Sequence, residues 1–298
     1  MAEIAAVRAK LIEFMQQTDY TQKQIADECG LSAALISQFM SGTYSGDNQK
    51  VSDTLNKYLS IAKDRLNRCI SDVFYPELEN TRTVTFAAHY AHANCEMVLI
   101  RGDSGAGKTT ALKLYVEQNA GVIFVTANAS TKSATAILSK IAVAAGRHPN
   151  GNKKFLMETL VSFLKDTKRL IIIDEADHLT LNALQAVRNL NDEANVGIVL
   201  SGNNKLYNQM ISGVRGYEFD QIRTRIFLKP RVLNDYTIDE IAHIFPKCNE
   251  KVLAVLHKTA TEESLREAKK LYNFCIDYAN SQGIDLTEKI MLMLMKTI

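Results

Sequence analysis

The chain has 298 residues, of which 46% are hydrophobic and 23% are charged, and its formal net charge is +2. This composition is typical of a globular protein and excludes fibrous and largely disordered classes; the near-neutral charge alone indicates neither a nucleic-acid binder nor an acidic tail. Five widely separated cysteines without a C-x-x-C pair disfavour a zinc ribbon and a disulfide framework. The first stretch, Met1–Thr18, has the pattern of an amphipathic helix and not of a signal peptide, and no apolar run reaches the ~20 residues of a membrane span. We therefore predict a protein of a reducing compartment, located in the cytoplasm and without a membrane partner.

Residues 21–40 (TQKQIADECGLSAALISQFM) carry the pattern of a helix–turn–helix. Ile25 and Ala26 share one helix face, Gly30 permits a tight corner, and Ser32 can cap a second helix. Three apolar residues then recur at helical spacing: Leu35, Ile36 and Phe39. Contact with DNA and contact with a protein both fit this module. The net charge of −1 over residues 1–75 keeps the second alternative open, because phosphate neutralisation carries most non-specific DNA affinity.

The middle of the chain alternates short apolar runs with helix-compatible stretches. The apolar runs lie at residues 96–100, 121–125, 169–173 and 196–200, and the helical stretches lie near 108–119, 132–145, 153–166 and 181–191. Buried strands that alternate with helices predict an α/β fold with a parallel sheet covered on both faces.

Two boundaries divide the chain into three predicted domains. The stretch Tyr75–Thr85, which contains Pro76, is the predicted linker, and after Pro230 the pattern indicates helices only. We therefore expect an N-terminal helical domain at 1–75, an α/β domain at 76–229 and a C-terminal helical domain at 230–298. Residues 76–230 hold 18 basic and 14 acidic side chains, so the positive charge is concentrated in the α/β domain.

A phosphate-binding loop follows the first apolar run. Residues 102–109 (GDSGAGKT) match G-x-x-x-x-G-K-[ST] between a predicted strand and a predicted helix, as this motif requires. Its backbone N–H groups and the helix N-terminus favour phosphate, Lys108 would reach the β- and γ-phosphates of ATP, and Thr109 would ligate Mg²⁺. The predicted nucleotide-binding residues are Gly102, Asp103, Ser104, Gly105, Ala106, Gly107, Lys108, Thr109 and Thr110.

Carboxylates end the third apolar run, in the sequence LIIIDEAD (residues 170–177). A buried parallel strand presents its C-terminal residues at the ligand edge of the sheet. Asp174 is therefore a candidate Mg²⁺ residue, and Glu175 is a candidate general base for the attacking water. A helicase is disfavoured, because the next run ends in Ser201-Gly-Asn203 and the chain is too short for two such sheets.

Three further residues complete the predicted catalytic set. Asn203, at the end of the next strand, can position the attacking water or sense the γ-phosphate. Arg225 is a candidate arginine finger, an arginine that reaches the γ-phosphate bound to a neighbouring subunit. Arg223 and Arg215 are competing choices for this role. Arg266 could reach the same nucleotide from the C-terminal domain.

With these motifs, the chain resembles the MuB family of phage Mu transposition proteins, which are AAA+ ATPases. The resemblance covers nearly the whole chain. It rests on residues 30–32 (GLS), 44–48 (YSGDN), 102–109, 172–179 (IIDEADHL), 200–203 (LSGN), 218–226 and 264–266 (SLR). It implies an AAA+ P-loop parallel sheet core with an N-terminal helix–turn–helix domain and a C-terminal helical lid. At Gln221 the chain departs from the family, which commonly has another arginine there.

The resemblance also implies a function. The protein would use ATP and Mg²⁺ to form helical filaments on double-stranded DNA with little sequence preference. It would deliver this target DNA to a DDE transposase and stimulate it, with slow ATP hydrolysis that DNA and the transposase accelerate. The host cytoplasm would be its location if it is phage-encoded. Four lysines of the α/β domain are the implied DNA contacts: Lys132, Lys153, Lys154 and Lys205.

Two alternatives share these motifs. One is an AAA+ ATPase that loads a replicative helicase, which differs only in its partner. The other is a DNA-binding regulator in which the nucleotide is a switch and is not hydrolysed.

Overall fold

A computed structural model describes residues 2–18, 20–66, 77–148, 151–212 and 216–297. The chain divides into two compact units, Met1–Ser71 and Asp72–Ile298. None of the helices in these ranges is long and apolar enough to cross a membrane. The cysteines in the described ranges, Cys29, Cys95, Cys248 and Cys275, are free thiols.

The first unit consists of four helices around one apolar core. The helices are α1 (Ala2–Gln17), α2 (Gln22–Cys29), α3 (Ala33–Ser41) and α4 (Asn48–Leu66). Residues from all four are buried together, among them Leu11, Phe14, Ile25, Ile36, Phe39, Leu55 and Leu59. Because every helix contributes one apolar face, the unit has a core of its own.

The helix–turn–helix predicted for residues 21–40 is confirmed as α2 and α3. Thr21 caps α2 in a reciprocal capping box with Gln24, and Ser32 caps α3 by accepting a hydrogen bond from the backbone N–H of Leu35. Gly30 ends α2 with a left-handed φ of 67°, a conformation that costs least for glycine. The sharp corner between the helices follows from this residue.

The second unit is built on a parallel sheet. Its strands are β1 (Met97–Gly102), β2 (Val122–Thr126), β3 (Leu170–Asp174), β4 (Gly197–Gly202), β5 (Ile226–Leu228) and β6 (Arg231–Val232). The order across the sheet is β2-β3-β4-β1-β5, with β6 also paired to β1. The four predicted strands are confirmed to within two residues. Strand β4 lies between β1 and β3, so the strand that leads into the phosphate loop and the strand that ends in the carboxylates are not adjacent in the sheet.

Helices cover both faces of this sheet, as predicted. They are α5 (Glu79–Asn94), α6 (Lys108–Gln118), α7 (Ala134–Ala144), α8 (Lys153–Leu164), α9 (Leu181–Ala194), α10 (Asn204–Ser212) and α11 (Asp220–Arg225). Apolar residues of α5 and α6 pack with Ile172 and Val199 on one face. Those of α7, α8 and α9 pack with Ile171 and Ile173 on the other. The alternate residues of β3 therefore belong to two separate cores.

The predicted linker at Tyr75–Thr85 is wrong in its second half. Tyr75 and Pro76 lie outside the described residues, but α5 begins at Glu79, so residues 79–85 are helical. The helix buries Val84, Ala87, Ala88 and Ala91 against the sheet. Burial of this face outweighs the polar character of the stretch, which suggested a linker.

The prediction that only helices follow Pro230 is also wrong. Strand β6 pairs with the end of β1, and the carbonyl oxygen of Pro230 accepts a hydrogen bond from the N–H of Arg101 at 3.1 Å. Pro230 itself precedes β6, and because proline lacks only the N–H group, its carbonyl oxygen can still pair with β1 there. A Cβ at Gly102 would lie 1.8 Å from the carbonyl oxygen of Val232. The close approach of β6 therefore requires glycine at this position.

Helices form the rest of the C-terminal part: α12 (Ile238–Ile244), α13 (Glu250–Glu262), α14 (Leu265–Gln282) and α15 (Glu288–Met295). Their buried residues include Leu256, Ala268 and Cys275, and the rings of Phe245 and Tyr272 lie 5.1 Å apart. This part of the chain matches the predicted helical lid.

Candidate nucleotide-binding site

The phosphate loop connects the end of β1 to the start of α6. Gly105 has a left-handed φ of 75°. A Cβ at this position would lie 2.7 Å from Cβ of Ser264, the residue that caps α14. The loop thus turns where only glycine fits, and the first turn of α14 lies directly against it.

Lys108 is the first residue of α6, and its side chain extends back over the loop. Its Nζ atom donates hydrogen bonds to the carbonyl oxygens of Gly102 at 3.1 Å and Asp103 at 2.7 Å. Burial lowers the pKa of this ammonium group, and nearby carboxylates, Asp174 foremost, oppose the shift. A phosphate on the loop would supply the negative charge that stabilises the protonated amine.

Asp174 ends β3 and is buried, with 2% of its surface exposed. Its Oδ2 atom accepts a hydrogen bond from Oγ1 of Thr109 at 2.6 Å, and its Oδ1 atom accepts one from Oγ of Ser201 at 2.7 Å. Each carboxylate oxygen thus has a hydroxyl donor, which offsets the cost of burying this group. An oxygen-rich pair next to a phosphate loop is suited to Mg²⁺, and Thr109 with Asp174 fits that ion.

Glu175 follows directly in a left-handed conformation, with φ 55°. Non-glycine residues rarely adopt this geometry, which costs about 1 to 3 kcal/mol and occurs most often at functional sites. The turn carries Glu175 away from the strand and to the wall of the pocket above the phosphate loop.

Asn203 follows β4 and lines the same pocket. Its Nδ2 atom donates a hydrogen bond to Oδ2 of Asp177 at 2.8 Å, and its backbone N–H donates to Oδ1 of Asp177 at 3.1 Å. The structure therefore brings Lys108, Thr109, Asp174, Glu175 and Asn203 together at the carboxyl edge of three strands.

Most of the remaining wall of the pocket comes from residues that sequence reasoning did not select. Leu78, Asn80, Thr81, Tyr236 and Lys269 line it together with the loop and with Leu265 of the motif at 264–266. The side-chain amide of Asn80 donates to the carbonyl oxygen of Leu233 at 2.8 Å. Burial raises the pKa of Tyr236 to about 12. Apart from Leu265, these residues belong to no local motif, and only the fold brings them to the loop.

The predicted loop residues divide into two groups. Those from Ser104 to Thr110 line the pocket. Gly102 and Asp103 do not, and they contribute the carbonyl oxygens that bind Lys108. Arg266 lines the pocket from the start of α14, beside Ser264.

Of the finger candidates, Arg225 and Arg223 are described, and neither lines the pocket. Nε of Arg225 lies 3.1 Å from Oδ1 of Asp192 on α9, and Nη2 of Arg223 lies 2.8 Å from Oδ1 of Asp220. Gln221, the departure from the family, accepts a hydrogen bond from Arg188 at 2.8 Å. Arg215 lies outside the described residues.

The four predicted DNA-binding lysines are exposed and lie on three separate segments. Lys132 follows a short turn after β2, and Lys205 is in the first turn of α10 after β4. Lys153 and Lys154 begin α8, where Nζ of Lys154 lies 3.8 Å from Oε1 of Glu158. None of the four is among the described residues that line the nucleotide pocket.

A family model described as an AAA domain matches residues 91–210, which contain the phosphate loop, Asp174, Glu175 and Asn203. Fold, site and this match define an ATPase of the AAA+ class.

The chain is 30% identical over 264 residues to ATP-dependent target DNA activator B of Escherichia phage Mu, which covers 86% of this chain and 83% of that protein. It is 31% identical over 220 residues to the Mu-like prophage FluMu DNA transposition protein B of Haemophilus influenzae, covering 73% and 76%. It is 32% identical over 228 residues to target DNA activator B of Escherichia phage D108, covering 75% and 72%. The chain belongs to the family of Mu target DNA activator B proteins, which confirms the resemblance.

Proposed function

We propose that this protein binds ATP, assembles on double-stranded target DNA with little sequence preference, and delivers that DNA to a DDE transposase, which it stimulates. The observation that carries the proposal is the site formed by Lys108, Thr109 and Asp174, in a chain whose relatives are named ATP-dependent target DNA activators. Slow turnover that DNA and the transposase accelerate is part of the proposal.

Binding would exchange the hydrogen bonds of Lys108. In the structure its ammonium group is held by two carbonyl oxygens of the loop, and the β- and γ-phosphates of ATP would replace them as acceptors. Thr109 and Asp174 would hold Mg²⁺, which neutralises charge on the phosphates when it is bound.

Hydrolysis would use residues at the ends of β3 and β4. Glu175 lies at the pocket wall, where its carboxylate can accept a proton from the attacking water. Asn203 would orient this water or contact the γ-phosphate. Arg266 reaches the pocket from the lid side and would stabilise the negative charge within the same subunit.

A second subunit would supply the finger. Arg225 is paired with Asp192 and does not line the nucleotide pocket of its own subunit. We therefore assign it to the nucleotide bound by a neighbouring subunit. Arg223 and Arg215 are the competing choices. Because a finger in trans acts only after assembly, an isolated subunit would hydrolyse ATP slowly.

DNA affinity would grow through assembly. The excess of positive charge in residues 76–230 is only four, and the exposed Lys132, Lys153, Lys154 and Lys205 lie on three separate segments of the chain. Single subunits would bind weakly, and many linked subunits would bind tightly, because modest contacts add up along one DNA.

Phosphate release, measured with and without duplex DNA, tests the proposal. We expect DNA to raise the rate. Turnover that is absent under both conditions would favour the nucleotide-switch regulator. The variant Lys132→Ala/Lys205→Ala should bind DNA more weakly and reduce the slope of log affinity against log salt by about 0.9 for each lost phosphate contact. Lys289→Ala, at an exposed position on α15, is the control, and an unchanged slope in the double variant would refute those two assignments.

A further inference from the structure

The side chain of Asn203 is held at both ends. Its Nδ2 atom donates to Oδ2 of Asp177 at 2.8 Å, and its Oδ1 atom accepts a hydrogen bond from the backbone N–H of Lys205 at 2.7 Å. An amide with a partner on each side has one favoured orientation, because a flip would place its NH₂ group against the N–H of Lys205 and its oxygen against the carboxylate of Asp177. The orientation of Asn203 therefore depends on Asp177.

The carboxylate of Asp177 also holds the backbone at the end of β4. Its Oδ1 atom accepts a hydrogen bond from the N–H of Asn203 at 3.1 Å. A Cβ at Gly202 would lie 2.6 Å from the same oxygen, so this contact needs a residue without a side chain before Asn203. One carboxylate thus fixes the strand end and the side chain that follows it.

Asp177 connects two predicted catalytic groups. It lies in the short turn Ala176–His178, which begins directly after Glu175. Glu175 and Asn203 both line the nucleotide pocket, and they come from different strands, β3 and β4. The hydrogen bonds of Asp177 directly link the turn after β3, which begins next to Glu175, to Asn203, which follows β4.

We propose that Asp177 is a positioning residue for ATP hydrolysis, which holds the amide of Asn203 in register with the carboxylate of Glu175. The inference rests on the proposed ATPase function. One N–H of the Asn203 amide is bound to Asp177, and the other is the group available to a γ-phosphate oxygen or to the attacking water. Correct placement of such donors matters for rate, because a displacement of about 1 Å can cost about a hundredfold.

A positioning role differs measurably from a merely structural one. Asn203 is exposed and Asp177 is only half-buried, so loss of the carboxylate should change the unfolding midpoint little. The hydrogen bonds of Lys108 and Thr109 at the loop do not involve Asp177. We therefore expect Asp177→Asn to lower kcat about ten- to a hundredfold and to leave the KM and the dissociation constant for ATP unchanged.

The experiment compares the full-length wild type, Asp177→Asn, Asn203→Ala and the double variant in steady-state ATP hydrolysis with DNA present and in equilibrium binding of ATP. The double variant should be no slower than Asn203→Ala alone, because Asp177 acts through Asn203. Asp285→Asn, an exposed aspartate in a loop, is the matched control with the wild-type kcat. Asp177→Glu keeps the charge on a longer stem and should lower kcat to an intermediate value; it serves for the same comparison if Asp177→Asn does not fold.

An unchanged kcat in the Asp177 variants overturns the inference, as do losses that multiply in the double variant or a loss that appears only in ATP affinity. Wild-type protein that binds ATP and never hydrolyses it would instead overturn the proposed function, so the two failures are distinct.

Discussion

Oγ1 of Thr109 donates a hydrogen bond of 2.6 Å to Oδ2 of Asp174, although 65 positions separate the two residues in the chain. The contact joins the helix after β1 to the end of β3 across the intervening strand β4. That strand contributes Ser201, whose hydroxyl binds the other carboxylate oxygen at 2.7 Å. Residues at or just after the ends of β1, β3 and β4 therefore meet at the buried carboxylate of Asp174, and this arrangement is the structural basis of the site.

Removal of the Ser201 hydroxyl tests the role of this buried hydrogen bond. Ser201 is fully buried, so Ser201→Ala leaves one oxygen of Asp174 without its donor. We expect the free energy of unfolding to fall by about 1 to 3 kcal/mol, together with weaker ATP hydrolysis, as measured by urea denaturation and phosphate release. Ser162→Ala, at an exposed site on α8, is the control. Equal stability of the two variants would show that Ser201 does not support the carboxylate.

Gly105 should be intolerant of any side chain, because backbone strain and a steric clash coincide there. Its φ is 75°, and an added Cβ would lie 2.7 Å from Ser264 and 3.2 Å from Cβ of Arg266. Gly146 has nearly the same φ, 72°, but an added Cβ there would have no atom within 4 Å. Its alanine variant therefore measures the backbone strain without the steric clash. We expect Gly146→Ala to cost about 1 kcal/mol of stability and to leave ATP affinity intact.

Gly105→Ala should cost more stability and weaken ATP binding, because the first turn of α14 has to move away from the loop. Thermal unfolding and nucleotide titration measure the two effects. If both alanine variants bind ATP with similar affinity, ATP binding does not require the contact between α14 and the phosphate loop.

Arg225 should act on the nucleotide of a neighbouring subunit. Arg225→Ala is expected to bind ATP normally and to hydrolyse it about a thousandfold more slowly, while Arg82→Ala, an exposed arginine on α5, serves as the control. A mixture of Arg225→Ala with Glu175→Gln tests the trans arrangement, because the second variant lacks the general base, keeps Lys108 for ATP-dependent assembly, and supplies the arginine to the intact site of the first. We expect the mixture to hydrolyse ATP faster than the sum of the two variants. Recovery with Arg223→Ala or Arg215→Ala in place of Arg225→Ala would move the finger to that residue.

The parts of the site that sequence could predict are local in the chain. The phosphate loop is a contiguous motif, and Asp174, Glu175 and Asn203 follow apolar runs long enough to be recognised as buried strands. Their convergence follows from the rule that parallel strands present their carboxyl ends at one edge. The helix–turn–helix was predictable for the same reason, since Gly30 and Ser32 specify the turn within a few residues.

The parts of the fold and the site that the sequence could not predict depend on contacts between residues far apart in the chain. Strands β5 and β6 have three and two residues, too few for a recognisable period, and their pairing with β1 holds them in place. Asn80 and Tyr236 reach the pocket only because α5 and the segment after β6 lie beside the loop. The ion pair between Arg225 and Asp192 joins α11 to α9, and no sequence spacing indicates it.

Nucleotide-dependent assembly on duplex DNA, imaged by electron microscopy with a non-hydrolysable ATP analogue, tests the central claim most directly. The wild type and Lys113→Ala, an exposed lysine on the same helix as Lys108, should coat the DNA in regular filaments only when the analogue is present. Lys108→Ala, which lacks the ammonium group at the loop, should leave the DNA bare under both conditions. Filaments of Lys108→Ala that match those of the wild type, or wild-type filaments that form equally without nucleotide, would contradict the account.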